Sequence, residues 1–405
     1  MLRRCGFAIL FLLSTFAAGQ NVTLTVRGPS PWIDATDPAY GAICDGNLHT
    51  PDESVAINAA LAAAHTAGGG TVLIPAGKKC ILGNPLTFAG PLNNVTLSGG
   101  TIGASQRPGS GTSAPRAQLV YTGTASPAIK MDNAGGDSIE NLAIYPSNAG
   151  FAGGTLIEGC STGTCVTNDL TFKHLTLSGN GVSSVLLMSL NSTIDSRVED
   201  VIFESASVYL RGAAGSTNFS VANTMLNCSF VAQPTTAFVQ NPGTNWAFIS
   251  DDFETGTGAP VIQFINGYVG IQGLTFINNF VDDSATGASY TAFTFPNQAS
   301  GNPNGGIVFS GNVITLGTNQ NMFNLGNNTN GVVISGNFLG TQANFLTVGT
   351  GVTLDVAAND YAAIGGTFLS GTPASGSRVI DNTGKNLAPI TMADGNVSAP
   401  SYSFG

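Results

Sequence analysis

The segments Phe276-Ile-Asn-Asn-Phe-Val281, Phe309-Ser-Gly-Asn-Val-Ile314 and Ile334-Ser-Gly-Asn-Phe-Leu339 share one pattern. Each has two short apolar stretches joined by a polar pair rich in Gly and Asn, residues that tolerate the unusual dihedral angles of tight turns. Their anchor positions are residues 279, 312 and 337, which lie 33 and 25 residues apart. A repeat of this length, interrupted by insertions, is typical of a solenoid.

The same pattern recurs upstream, with anchors at residues 100, 142, 175, 201, 228 and 252. A further apolar stretch follows most anchors, for example 185–190 and 345–348. Two or three strands per repeat without an intervening helix favour a parallel β-helix over a leucine-rich repeat. A β-propeller is the competing fold, but its blades need four strands and about 40 or more residues each. The sequence predicts an all-β, single-stranded parallel β-helix of about 9–10 rungs.

The anchor positions predict a column of stacked polar side chains. Successive rungs of a parallel β-helix lie about 4.8 Å apart, so equivalent residues lie above one another. The predicted column ends with Asp252, Asn279, Asn312 and Asn337. Asn side chains in such a column can hydrogen-bond from rung to rung, so we interpret it as a structural ladder.

Composition excludes several classes of protein. Of 405 residues, 42% are hydrophobic and only 9% are charged, whereas a disordered chain needs low hydrophobicity and high charge. The net charge of −10 argues against a nucleic-acid partner, which needs a basic surface. The one long apolar run is at the N-terminus, where Arg3 and Arg4 precede it and Ala17-Ala18-Gly19 follow. This indicates a signal peptide over 1–19 and a secreted protein; the alternative, a membrane anchor, needs a longer run.

The cysteines indicate an oxidising compartment. Cys44 and Cys80 flank one segment near the N-terminus, and Cys160 and Cys165 bracket a short loop, so both pairs are plausible disulfides. Zinc is the alternative, although no Cys-x-x-Cys pair or nearby His favours it. Cys228 lies in an apolar pattern, which predicts a buried free thiol.

The N-terminal segment predicts a helix ahead of the rungs. Thr50 is the predicted N-cap, Pro51 the first helical residue and Glu53 the partner in a capping box, and Gly68-Gly-Gly70 ends the helix. A helix in this position is best explained as a cap over the open edge of the first rung. We therefore expect a cap and first strands over 20–94, rungs over 95–356, and a C-terminal cap and tail over 357–405.

The same segment resembles the start of the pectate-lyase superfamily domain, which also opens rhamnogalacturonase- and epimerase-like proteins and some phage tailspikes. The residues that carry the resemblance are Asp37-Pro-Ala-Tyr-Gly-Ala-Ile-Cys-Asp-Gly46, 53–64 and Gly68-Gly-Gly-Thr-Val-Leu-Ile-Pro-Ala-Gly77. The resemblance implies a right-handed parallel β-helix, an N-terminal helical cap, and action on acidic or branched polysaccharides.

The motifs of related enzymes are only partly present. Polygalacturonases of the superfamily use Asn-Thr-Asp, Asp-Asp, Gly-His-Gly and Arg-Ile-Lys motifs, of which this chain has only Asp-Asp, at 251–252 and 282–283. We interpret Asp251-Asp252 as turn residues. Pectate lyases of related fold hold calcium with Asp or Glu and abstract a proton with Arg or Lys. No motif of that kind maps onto this chain residue by residue.

The resemblance places a binding groove along a strand face beside the longer loops. The residues expected to approach it are Arg211, Glu204 and Asp283 as catalytic candidates, Tyr209 and Asp282 as substrate-binding candidates, and Asp282 with Asp283 as calcium ligands. Glu204 and Asp282 are three rungs apart, roughly 14 Å, too far for the carboxylate pair of an inverting glycosidase, which needs about 6.5–9.5 Å. The alternative for Asp282-Asp283 is an exposed loop acid, and the alternative for Arg211 is an edge arginine.

His174 and Asp200 occupy corresponding turns of successive rungs. They could form an acid–base pair on the outside of the coil. The alternative is a solvated turn surface.

Together these features predict a secreted protein that acts on a polysaccharide, similar to a lyase or a glycosidase, with calcium as the one candidate cofactor. A non-catalytic glycan-binding or surface-structural β-helix is the second hypothesis, favoured by the missing motifs. A tailspike-like trimer is the third, and we expect a monomer rather than a trimer.

Overall fold

The structure is a computed structural model that describes residues 32–88, 90, 94–100, 116–161, 164–213, 219–231, 234–255, 258–265, 271–283, 289–340, 342–362, 364–384, 390–391 and 397–398. The predicted signal peptide lies outside this part of the chain. The described residues wind into a coil in which each turn adds one strand to each of three parallel sheets, here named A, B and C in chain order. The predicted parallel β-helix is confirmed.

The three sheets contain thirteen, twelve and eleven strands. Sheet A consists of Trp32–Asp34, Gly70–Leu73, Val95–Ser98, Ser138–Glu140, Thr171–Lys173, Arg197–Glu199, Thr224–Leu226, Ala247–Ile249, Thr275–Ile277, Asn304–Ser310, Thr329–Ser335, Leu354–Ala357 and Arg378–Ile380. Sheet B consists of Lys79–Leu82, Ala117–Tyr121, Leu142–Pro146, Thr176–Ser178, Ile202–Glu204, Ser229–Val231, Asp252–Thr255, Phe280–Asp283, Val313–Leu316, Phe338–Leu339, Asp360–Tyr361 and Thr383–Gly384. Sheet C consists of Leu86–Thr87, Ile129–Lys130, Thr155–Glu158, Leu186–Ser189, Val208–Arg211, Ala237–Gln240, Ile262–Gln263, Thr291–Phe295, Asn321–Leu325, Asn344–Val348 and Leu369–Ser370.

Among the described residues, four short strands lie outside these sheets. Thr167–Asn168 pairs in parallel with Thr193–Ile194, and Ile390–Thr391 pairs antiparallel with Val397–Ser398. A 3₁₀ turn covers Ala149–Phe151.

The tight turn from sheet A to sheet B explains the repeated Gly, Asn and Asp residues. The residue before most anchors adopts a left-handed backbone, as at Asn141, His174, Asp200 and Asn278, with φ between 52° and 59°. Asn, Asp and His tolerate this conformation better than β-branched residues do. The Gly, Asn, Asp or His directly before the anchor is therefore a steric requirement of the turn.

The predicted polar ladder exists, with one correction. Asn279, Asn312 and Asn337 each accept, through Oδ1, the backbone N–H of the anchor one turn earlier, at 2.8–3.0 Å. In the next turn toward the N-terminus the ladder residue is Asp251, because strand pairing aligns Asp252 with Phe280 rather than with Asn279. The anchor predicted at residue 252 was therefore one position too late.

The ladder also continues beyond residue 356. Asn359 and Asn382 repeat the same hydrogen bonds, at 3.1 Å each. Sheet B likewise extends to Thr383–Gly384. Two further ladder residues thus lie within the range 357–405, for which a cap and tail were expected.

Aromatic side chains stack inside the coil. Phe203, Phe230 and Phe253 come from successive turns of sheet B, with ring centroids 4.8 and 4.4 Å apart and planes within 5° and 2° of parallel. Phe238, from sheet C, meets Phe230 and Phe253 edge-on. Each such aromatic pair contributes about 0.5–1.5 kcal/mol of stability beyond that from burial of the ring surfaces. The repeating backbone therefore carries a repeating core.

One α-helix, α1 (Glu53–Thr66), precedes most of the coil. It packs against the first strands of all three sheets. Its role as a cap stays a prediction. Its N-cap is Asp52 rather than Thr50, because the Asp52 carboxylate accepts the Ser54 backbone N–H at 2.8 Å. Glu53 is buried and instead accepts the backbone N–H groups of Ile43 and Cys44 at 2.9 Å.

Both predicted disulfides are present, Cys44–Cys80 and Cys160–Cys165. Cys228 is a buried free thiol, as expected. Within the described ranges, no helix combines the length and apolar character needed to span a membrane.

Candidate functional site

A row of polar residues lies at the carboxyl ends of the sheet C strands. Strand pairing places its members in register from turn to turn, about 4.8 Å apart. We call this row the sheet C column; it consists of Lys130, Glu158, Ser189, Arg211, Gln240 and Gln263. Three of its members are ionisable and partly exposed, an arrangement that suits an extended polar ligand lying across the turns.

Glu158 is a perturbed acid within the column. Burial raises its pKa above the ordinary glutamate value, and the negative charge of Asp132 adds to this effect. The positive charge of Arg211, two turns along, opposes it. A carboxyl group with a raised pKa in a partly open site can serve as a general acid or base near neutral pH.

Arg211 is a desolvated cation. Burial lowers its pKa and Glu158 raises it, yet a guanidinium stays charged in proteins. Within the described ranges, its buried Nε–H group has no hydrogen-bond partner. Arg211 as a residue is partly exposed, and a guanidinium pairs strongly with a carboxylate, so an acidic ligand would gain from binding there.

Asp132 supplies a second carboxylate beside Glu158. It lies two residues beyond Lys130 and accepts hydrogen bonds from the backbone N–H and the hydroxyl of Ser161, at 2.6 and 2.7 Å. Ser161 belongs to the loop closed by the Cys160–Cys165 disulfide. In the described part of the chain, the sulfurs of this bridge and Asp132 are the one close group of potential metal ligands. Because both sulfurs are in the disulfide, we do not interpret the group as a metal site.

The residues predicted from the sequence do not form one cluster. Arg211 lies in the sheet C column, whereas Glu204 lies on sheet B, in register with Ser178 and Val231. Tyr209 is fully buried and its hydroxyl donates to the Val231 carbonyl at 2.9 Å. The expectation that Tyr209 lines a groove was therefore wrong, because its ring is part of the aromatic core.

The acidic residues of sheet B form a separate group. Asp282 is in register with Glu254 and Thr315, and Asp252 precedes Glu254 on the same strand. Burial raises the pKa of Asp252, and the charges of Glu254 and Asp282 raise it further. The side chain of Asp283 lies outside the described residues, so calcium binding by Asp282 and Asp283 stays a prediction.

The predicted His174–Asp200 contact is present, with 3.2 Å between Nε2 and Oδ2. Both residues have left-handed backbones in the turns between sheets A and B. Their positions match the alternative expectation of a turn surface.

Glu158 and Lys130 were missed by the sequence analysis. Sheet C strands are two to five residues long and carry no repeated turn motif, so their register could not be read from the spacing of anchors. The one available signal was that Leu156-Ile-Glu158 directly precedes the Cys160–Cys165 loop.

Comparison with solved structures identifies the architecture. The A-module of mannuronan C-5 epimerase AlgE6 from Azotobacter vinelandii superposes with a TM-score of 0.59 at 15% identity, covering 92% of this chain and 100% of that one. A hyperthermoactive exopolygalacturonase from Thermotoga maritima superposes with a TM-score of 0.55 at 10% identity, covering 85% and 94%. A mutant tailspike protein of E. coli bacteriophage HK620, in complex with a pentasaccharide, gives 0.50 at 12% identity, covering 91% and 64%.

No family model and no curated protein sequence matches the chain. At these identities the structural likeness bears on the fold alone. The chain therefore has the right-handed parallel β-helix fold of pectin-lyase-like proteins.

Proposed function

We propose that this protein acts on an acidic polysaccharide held along the sheet C column, with Glu158 transferring a proton and Arg211 binding a carboxylate of the glycan. The observation that carries the proposal is the register of a desolvated arginine with a partly buried glutamate of raised pKa. The three solved structures named above are titled as an epimerase, an exopolygalacturonase and a tailspike with bound pentasaccharide, which supports a glycan as ligand.

Two reactions suit these groups. In an elimination, Glu158 as a carboxylate takes the proton next to the sugar carboxylate, whose charge Arg211 neutralises. The electron pair then forms a carbon–carbon double bond, the glycosidic C–O bond breaks, and the leaving oxygen takes up a proton. In a hydrolysis, protonated Glu158 gives its proton to the glycosidic oxygen while water, losing a proton to Asp132, attacks the anomeric carbon. The glycosidic C–O bond breaks, and the protonated oxygen leaves as the hydroxyl group of the released sugar.

We also propose that the protein is exported and works as a monomer. The two disulfides support an oxidising compartment, because such bonds are rare in the reducing cytosol.

The proposal is tested by incubating the protein with acidic polysaccharides and following unsaturated products by absorbance and new reducing ends by chemical assay. We expect Arg211→Gln to raise KM for the acidic glycan about tenfold or more, because a buried charge-assisted hydrogen bond is worth about 1.5–3 kcal/mol. The matched control is Arg197→Gln, since Arg197 is an exposed arginine of sheet A paired with Glu199. An Arg211→Gln variant with unchanged KM would contradict the proposed role.

A second candidate function is glycan binding without catalysis. It is favoured by the uncharged continuation of the sheet C column, Gln240 and Gln263, whose side chains hydrogen-bond each other at 3.2 Å. Tight binding of an acidic glycan with no product of either kind would decide for this alternative.

A further inference from the structure

Three exposed apolar side chains form a continuous stripe on the outer face of sheet B. Phe280, Val313 and Phe338 come from successive turns and lie in register, with 43%, 37% and 44% of their surfaces exposed. The next residue of each strand points inward and is buried, as alternation in a strand requires. Two turns separate the phenylalanines, so their backbones lie about 9.6 Å apart. We call these three residues the sheet B stripe.

Acidic and polar groups surround the stripe. Asp252 continues the row on one side of it and Asp360 on the other. Asp282 and Thr315 lie two residues further along the same strands and therefore on the same face. Such a surface suits a ligand that has apolar faces, offers hydroxyl groups to carboxylates and carries no negative charge.

A second copy of the chain does not fit these properties. Two phenylalanines that are each less than half exposed, with one valine, offer on the order of 200 Å² of apolar surface. A stable interface needs about 800 Å² from each partner. Two copies meeting here would also bring their acidic residues together, and the chain has a net charge of −10.

We propose that the sheet B stripe is a binding site for a neutral glycan chain, separate from the sheet C column. The C–H groups on the face of a pyranose ring carry slight positive charge, which suits the electron-rich face of an aromatic ring. The separation of the two phenylalanines matches about two sugar units of an extended chain. Asp252, Asp282 and Asp360 accept hydrogen bonds from sugar hydroxyls and repel the carboxylates of an acidic glycan.

The proposal does not depend on catalysis at Glu158 and is tested by binding alone. Neutral β-1,4-linked hexasaccharides of glucose, mannose and xylose, and a uronate hexasaccharide, are titrated into the protein by calorimetry. We expect at least one neutral hexasaccharide to bind, and the double variant Phe280→Ser/Phe338→Ser to weaken that binding tenfold or more. We expect the Kd of the double variant for the uronate hexasaccharide to stay within twofold of the Kd of the original protein.

The control is Trp32→Ser, which removes another exposed aromatic residue, on sheet A, and is expected to change neutral glycan binding less than twofold. Circular dichroism checks that the double variant keeps its β structure. The proposal is overturned if no neutral hexasaccharide binds at millimolar concentration, or if the double variant binds as well as the original protein. It is also overturned if sedimentation shows an oligomer that the double variant abolishes, because the stripe would then be a subunit contact.

Discussion

Replacing Glu158 by glutamine is expected to lower turnover of the acidic glycan by about 10²–10⁴-fold, the usual contribution of a general acid or base. Glutamine keeps the shape of the side chain and can still hydrogen-bond, so the glycan should bind within a few-fold of its original affinity. The measurement is the rate of product formation at saturating substrate, with Kd from calorimetry. The matched control is Glu254→Gln, which changes an exposed glutamate of sheet B and should leave turnover unchanged.

The pH profile separates a chemical role of Glu158 from a structural one. The positive charge of Arg211 favours the ionised form of Glu158, so Arg211→Gln should raise the pKa of Glu158 further. In a plot of turnover against pH, the change in rate caused by titration of Glu158 should therefore occur at higher pH. Full turnover by the Glu158→Gln variant would show that Glu158 does not transfer a proton in the reaction.

Replacing Asp251 by asparagine is expected to stabilise the protein at neutral and alkaline pH. At pH 7 the free energy of unfolding should rise by up to about 4 kcal/mol. Asp251 is 1% exposed and occupies a ladder position that is Asn in the five following turns. Its Oδ1 accepts the Cys228 backbone N–H at 2.7 Å, whereas its buried Oδ2 has no partner among the described residues. In the turns that follow, the side-chain Nδ2 donates to a sheet A carbonyl, for example from Asn279 to Phe248 at 3.0 Å.

The sign of the effect follows from proton binding. Burial raises the pKa of Asp251 to about 8, so the folded protein holds a proton that the unfolded chain releases near pH 4. The stability associated with that proton is complete below about pH 4 and is lost as pH rises toward 8. Asparagine does not titrate, so Asp251→Asn should remove this loss.

Chemical unfolding of both proteins at pH 4.5 and pH 8 measures the difference. We expect a small gain in the free energy of unfolding at pH 4.5 and a gain of several kcal/mol at pH 8. Asp360→Asn, which changes an exposed acid beside ladder residue Asn359, should produce little change at either pH. An equal effect of Asp251→Asn at both pH values would mean that Asp251 is already ionised in the folded protein.

The fold could be predicted because its tightest turn has strict chemical requirements. The turn between sheets A and B needs a left-handed residue directly before the buried anchor, as at Asn141, Asp200 and Asn278. From Asp251 onward the anchor itself is polar and belongs to the ladder. Within the predicted ladder, the prediction was one residue off at Asp251-Asp252. There two identical residues occupy the buried anchor position and the outward-facing strand position after it.

The candidate site was less predictable because sheet C lacks such a turn. In Val208–Arg211, three consecutive residues are buried. The strand therefore lacks the alternation of buried and exposed residues from which the buried position of Tyr209 could have been predicted. Arg211 could be named from its charge in an apolar stretch. Its relation to Glu158 depends on the strand Leu186–Ser189 lying between them, which is a property of the folded coil.

The most direct test of the account is a crystal structure of the Glu158→Gln variant with a bound acidic oligosaccharide that the original protein converts. We predict that the sugar chain lies across the strand ends of sheet C, with a carboxylate oxygen within hydrogen-bonding distance of Arg211 and the reacting unit beside residue 158. An acidic oligosaccharide bound elsewhere on the coil, without contact to Arg211, would contradict the assignment of the sheet C column as the active surface.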